Sequence, residues 1–204
     1  MAKPDCALYL ISPLDVGGAF PERLRRALAA GPVAAFQFRV KGLEQHAAAK
    51  LAAPLQEICA AHDTAFIVND DVSLAKRLGA DGVHLGQGDG DPREAREELG
   101  RNSQIGVTCH ASRHLAMEAG EAGADYVAFG AFHDSTTKDA GHRADLSLLK
   151  WWSGIFEIPS VAIGGITPDN AKPIIDAGAD FVAVSGAVWN GDEAAVVKAF
   201  ANLI

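Results

Sequence analysis

Apolar and polar positions alternate in blocks along the whole chain. Short apolar runs ending in polar residues predict strands at Ala7–Ile11, Ala34–Arg39, Ala65–Val68, Gly82–Leu85, Gln104–Thr108, Tyr126–Gly130, Ser160–Ile163 and Phe181–Ser185. Between and after them, apolar residues at helical spacing predict helices near 20–30, 43–62, 72–78, 92–99, 112–122, 145–153, 168–177 and 192–203. In the third of these, Val72, Leu74, Ala75 and Leu78 repeat at that spacing. Eight strand–helix units with no linker between them predict an α/β chain forming one domain over residues 1–204, a (β/α)8 TIM barrel. At 204 residues it is compact against the roughly 250 typical of that fold. A doubly wound open sheet is the competing architecture.

One phrase recurs three times: Gly79-Ala80-Asp81-Gly82-Val83, Gly123-Ala124-Asp125-Tyr126-Val127 and Gly178-Ala179-Asp180-Phe181-Val182. Each ends a helix with glycine, turns through Ala-Asp and enters a strand. These turns belong to the N-terminal rim, so the three aspartates are expected to serve structure. Function is expected at the carboxyl ends of the strands, where parallel α/β folds bind ligands.

Those ends carry a coherent set of groups. Asn69 and Asp70 follow the third strand, and Gln87 and Asp89 follow the fourth. Two carboxylates on one rim, at about 5 Å and an effective dielectric near 20, repel by roughly 3 kcal/mol. A divalent cation relieves that, and hard oxygen ligands with room for water and phosphate suit Mg2+ at Asp70 and Asp89. In the second strand, period-two spacing turns Gln37 and Arg39 inward and leaves Lys41 on the rim. An inward guanidinium asks for an anion in the barrel mouth. Thr108, ending the fifth strand, offers a hydroxyl to an anion. The lone His110 reads as structural, and His84, inside an apolar strand, as barrel packing or support for the site.

The longest polar connection, residues 133–144, predicts a mobile lid, with Ser135, Thr137 and Lys138 as anion contacts. Gly164-Gly165 after the seventh strand and Val184-Ser185-Gly186 after the eighth predict a phosphate site built from backbone N–H groups. A diphosphate is expected on the cationic side and a monophosphate on the glycine side. No Ser, His and acid constellation suggests an activated nucleophile.

Composition narrows the partners. Lys and Arg total 18 against 26 Asp and Glu, a net charge of −8, which disfavours nucleic acid and anionic membranes in general. With 49% hydrophobic residues the chain has material for one core. No apolar run reaches membrane-spanning length, and the first residues lack a signal-like core. The three cysteines, Cys6, Cys59 and Cys109, have no metal-like spacing and suggest reduced thiols in a cytoplasmic protein.

Taken together, Leu8-Tyr9-Leu10-Ile11, Gln37-Phe38-Arg39-Val40-Lys41, Val68-Asn69-Asp70-Asp71, the run from Gly82 to Asp89, Thr136-Thr137-Lys138 and Ala162-Ile163-Gly164-Gly165-Ile166 resemble the thiamine-phosphate synthase (thiamine-phosphate pyrophosphorylase) family over nearly the whole chain. The resemblance implies a transferase joining 4-amino-5-hydroxymethyl-2-methylpyrimidine diphosphate to a thiazole phosphate, with release of pyrophosphate by a dissociative route. It implies Mg2+ on Asp70 and Asp89, the diphosphate on Arg39, Lys41, Asn69 and Lys138, and the pyrimidine beside Gln37. It also implies the thiazole phosphate on Gly164 and the Val184-Ser185 backbone. Small-molecule substrates and a possible homo-oligomer are the implied partners. Thr108 stands where serine is more usual in the family, and Ser135 where threonine is. Ala131 replaces a usual proline, and His133-Asp134 a more apolar pair. A thiazole tautomerase-like enzyme and a non-catalytic phosphoryl-ligand binding paralogue are the alternatives. A tautomerase handling one monophosphate has no need of Asp70, Asp89, Arg39 and Lys138 together.

Overall fold

The computed structural model describes residues 6–134 and 143–204. Eight strands, β1 (Ala7–Ile11), β2 (Ala35–Phe38), β3 (Ala65–Asn69), β4 (Gly82–Leu85), β5 (Gln104–His110), β6 (Tyr126–Phe129), β7 (Ser160–Ile163) and β8 (Phe181–Val184), close into a barrel in sequence order. All neighbours are parallel, and β8 returns to β1 with Leu8 opposite Val182. The open-sheet alternative is thereby excluded. Helices α1 (Phe20–Ala29), α2 (Gln45–Ala61), α3 (Val72–Leu78), α4 (Pro92–Leu99), α5 (Arg113–Glu121), α6 (Leu146–Ile155), α7 (Pro168–Asp176) and α9 (Glu193–Ala201) follow the expected positions. An additional one-turn helix, α8 (Gly186–Trp189), opens directly after β8.

Alternation along the strands sorts side chains into two shells. Outward residues such as Leu10, Phe36, Phe66, Val83, Ile105, Phe129 and Val182 join the helices in the larger core. Inward residues Tyr9, Ile11, Ala35, Ile67, Tyr126, Ala128, Val161 and Ala183 pack inside the barrel. The Trp151-Trp152 pair divides between the larger core and its surface. Trp152 is buried, donates from Nε1 to the Ile158 carbonyl at 2.7 Å and stacks on Phe156. Trp151 lies partly exposed under the Arg113 guanidinium, 4.6 Å from its carbon. The three cysteines are buried, and none is joined to another by a disulfide. Among the described residues no helix is long and apolar enough to cross a membrane.

The repeated Gly-Ala-Asp turns stitch the N-terminal rim. Asp81 accepts the Phe66 amide at 2.7 Å and returns its own amide to the Phe66 carbonyl. Asp125 treats Ile105 the same way, at 2.7 Å, and Asp180 treats Ser160 the same way, at 2.8 Å. Each aspartate thus closes a two-bond ring with the start of the preceding strand, in the structural role expected of it. A charge-assisted bond of this kind is worth about 1.5–3 kcal/mol. The opposite rim is left for chemistry.

Candidate active site

A cavity of about 750 Å³ opens at the carboxyl ends of the strands. Every described residue assigned to the site from sequence lines it: Gln37, Arg39, Lys41, Asn69, Asp70, Asp89, Thr108, Gly164, Val184 and Ser185. Ser135, Thr137 and Lys138, with most of the expected lid at 133–144, lie outside the described residues. On either side of that segment, Asp134 and Arg143 face each other at 3.5 Å, and the Ala144 amide donates to the Ala131 carbonyl.

The acidic corner is built by two loops. Asn69 ends β3, and Asp70 turns the chain with φ +67°, a left-handed conformation that aspartate tolerates better than most residues. Its amide still donates to the His84 carbonyl at 2.8 Å, tying the turn to β4. Asp71 then caps α3 by accepting from the Leu74 amide, so three successive residues take three roles. In the next loop the Asp89 carboxylate accepts from the Gly86 amide at 2.9 Å. Desolvation and the neighbouring Asp70 carboxylate push the Asp89 carboxyl above its ordinary range, against the Gly86 amide and Lys41. The Lys41 ammonium pairs with Asp70. The Arg39 guanidinium, from the end of neighbouring β2, has no carboxylate partner among the described residues. Gln87, in the loop that carries Asp89, donates to the Thr108 carbonyl at 2.6 Å.

The opposite wall is made of backbone. Gly164 and Gly165 have φ of +106° and +61°. A Cβ on Gly164 would fall 2.4 Å from that of Ala131, and one on Gly165 2.3 Å from the Asp134 carbonyl oxygen. The paired glycines therefore serve the close approach of the loop after β6 as well as the approach of a ligand. Beyond β8, the cavity meets the first turn of α8 at Gly186 and Ala187, where helical amides lack intrahelical acceptors. Trp189 holds this turn by donating to the Ile11 carbonyl at 2.6 Å. Arg23 donates to the Trp189 carbonyl and pairs with Glu193, which Arg26 also engages.

Sequence reasoning named Gln37, His84 and Thr108 singly but missed Tyr9 and Tyr126, which join them into a polar floor of the cavity. Gln37 donates to the Tyr9 hydroxyl at 3.0 Å, which lies 3.0 Å from that of Tyr126. Tyr126 lies 3.1 Å from His84 Nδ1, and His84 Nε2 lies 2.8 Å from Thr108 Oγ1. The reading of His84 as support for the site holds, and it is specific: its ring carries Thr108. Burial lowers the His84 pKa to about 4, with Asp70 opposing. His110 lines the cavity with φ +50°, just past an irregularity in the β5–β6 register.

Comparison with known proteins bears on the family and the fold. The family profile "Thiamine monophosphate synthase" matches residues 8–188. A thiamine-phosphate synthase of Erythrobacter litoralis is 74% identical over 201 residues, covering 97% of this chain and 94% of the relative. One from Rhodospirillum centenum is 51% identical, covering 91% and 90%. The solved thiamine phosphate pyrophosphorylase of Pyrococcus furiosus superposes with a TM-score of 0.86 at 31% identity, over 97% of this chain and 94% of that one. An enzyme barrel with this mouth, and relatives matched along almost their whole length, lead to one conclusion: the chain belongs to the thiamine-phosphate synthase family of transferases.

Proposed function

We propose that the cavity condenses 4-amino-5-hydroxymethyl-2-methylpyrimidine diphosphate with a thiazole phosphate, giving thiamine phosphate and pyrophosphate. The observation that carries this reading is the division of one mouth. Asp70, Asp89, Lys41 and Arg39 gather on one side, and the glycine backbone with the α8 amides lies on the other. Such a mouth suits one strongly charged phosphoryl group and one weakly charged one.

Mg2+ fits the acidic corner. Its carboxylates are hard donors on adjoining loops, desolvation together with the neighbouring Asp70 raises Asp89, and a cationic ammonium is already drawn to Asp70. Asp70 and Asp89 would hold the ion, which supplies positive charge for a departing pyrophosphate. Arg39, Lys41 and Asn69 bind the diphosphate oxygens and neutralise charge as the C–O bond lengthens. Thr108 adds a hydroxyl hydrogen bond, and Gln37 orients the pyrimidine ring. The C–O bond breaks with its electron pair leaving on pyrophosphate. The resulting pyrimidine-methyl cation is delocalised through the ring amino group and captured by the thiazole nitrogen. Apolar walls from Ile11, Ala128, Val161, Ile163 and Ala183 exclude water from that cation. The glycine wall and the α8 amides fix the thiazole phosphate so that its nitrogen faces the carbon. No protein base is needed for bond formation.

The test is an assay of thiamine phosphate and pyrophosphate with both substrates and Mg2+ present. Product formation is expected. Binding of both ligands without product would make the protein a binding paralogue, and isomerisation of a thiazole phosphate without condensation would make it a tautomerase.

A further inference from the structure

The floor of the cavity is a single file of hydrogen-bonding groups, Gln37–Tyr9–Tyr126–His84–Thr108, running from β2 across the barrel to β5. Its middle members are buried. Gly106 admits the Tyr126 ring to the interior, because a Cβ there would lie 1.9 Å from that ring. Each phenol carries one proton and can also accept, so the contacts by themselves allow the file to be polarised in either direction. The Gln37 amide nitrogen donates to Tyr9, and the polarity that continues this donation turns the Tyr9 proton to Tyr126 and the Tyr126 proton to His84 Nδ1. With Nδ1 accepting, a neutral imidazole carries its proton on Nε2 and donates it to Thr108 Oγ1. The Thr108 proton is then left for the cavity. At the other end, the Gln37 oxygen remains as an acceptor.

We propose that Tyr9, Tyr126 and His84 are positioning residues that set the polarity of this file. Thr108 thereby presents a donor to the diphosphate while Gln37 presents an acceptor to the substrate ring. The inference rests on the function proposed above for the identity of the two ligands, though not for the direction of the file. In the opposite polarity Thr108 would spend its proton on His84 and turn lone pairs toward an anion. Gln37 would then offer N–H instead of oxygen. The two ends are therefore linked: a site that donates to phosphate at Thr108 selects a ring bearing an N–H donor at Gln37. Burial drives the Tyr9 pKa up to about 12 and that of Tyr126 well above its ordinary value, so both remain hydroxyls, and the file orders hydrogen bonds without relaying protons.

Two measurements on the full chain test this. Nitrogen NMR of 15N-histidine-labelled, ligand-free protein at neutral pH should show the His84 proton on Nε2, with assignment by loss of the signal in His84→Gln. A proton on Nδ1 overturns the polarity even if the enzyme turns over normally. Calorimetry with inorganic pyrophosphate and Mg2+ supplies the second readout. Thr108→Val should weaken binding about tenfold and Tyr126→Phe about threefold, whereas Thr108→Val/Tyr126→Phe should be no weaker than Thr108→Val alone. Additive losses, or an unaffected Tyr126→Phe, overturn the proposal. Should Tyr126→Phe fail to fold, the wild-type His84 proton position still decides. If pyrophosphate does not bind the wild type, the proposed function fails, while that same NMR signal continues to decide the direction of the file.

Discussion

Asp89 owes its place to its own loop: it accepts from Gly86 three residues back and faces Asp70 from the adjoining turn. Little of the fold depends on it. Asp89→Ala is therefore expected to cut magnesium-dependent turnover about a hundredfold or more, with the melting temperature within a few degrees of wild type. A near-normal rate would dismiss the metal assignment. His84 makes the opposite demand. Folding holds it neutral down to about pH 4, whereas in the unfolded chain it takes up a proton near pH 6.5. Between these values the unfolded state binds more protons, so the contribution of His84 to stability is complete above about pH 6.5 and falls away by ~3 kcal/mol as pH drops to about 4. Melting curves of wild type and His84→Gln should diverge across that window, the variant being flatter; parallel curves would reject the assignment. Asp70, Asp89, Arg39 and Lys41 were legible because charged residues at apolar strand ends stand out in one dimension. The Tyr9–Tyr126 contact was not, because its partners lie 117 residues apart and each reads alone as an ordinary strand aromatic.

Among the elements, β1 to β8 and the long helices follow from periodicity, with ends shifted by one or two residues where a polar or glycine residue follows. β5 runs on to His110, past the expected end at Thr108, through a register irregularity that no sequence pattern marks. α8 escaped because four residues complete barely one turn, too short for a helical repeat to register. Its stability is tertiary. Glu193 is the anchor: burial opposes its ionisation, but its own backbone amide and the Arg26 and Arg23 guanidiniums hold the carboxyl below the ordinary range. Glu193→Gln leaves two arginines short of a partner and loosens the turn that Arg23 holds through Trp189. The expected outcome is a loss of about 1–3 kcal/mol in chemical denaturation, reduced from a fully buried pair because both arginines are partly exposed. The KM for thiazole phosphate should rise about threefold through displacement of the α8 amides. If the KM is unchanged, α8 is not the phosphate cradle.

Across the whole molecule the two rims divide the work. Eight strand–helix units made the barrel legible in the sequence, and the threefold Gly-Ala-Asp phrase before β4, β6 and β8 supported it. Asp125→Asn should lower stability by about 1–3 kcal/mol, since it weakens both the bond to the Ile105 amide and the pair with Arg96. Its kcat and KM should stay at wild-type values, and a tenfold fall in kcat would contradict the division.

The aspartate stitching has an evolutionary corollary. A barrel braced at its base tolerates insertion, deletion and exchange of residues at its mouth without unravelling, so new substrates can be tried by rewriting loops alone. Ala131, His133 and Asp134, in the loop that packs against Gly164 and Gly165, stand on that upper margin. Their replacement should alter which ligands enter sooner than whether the chain folds.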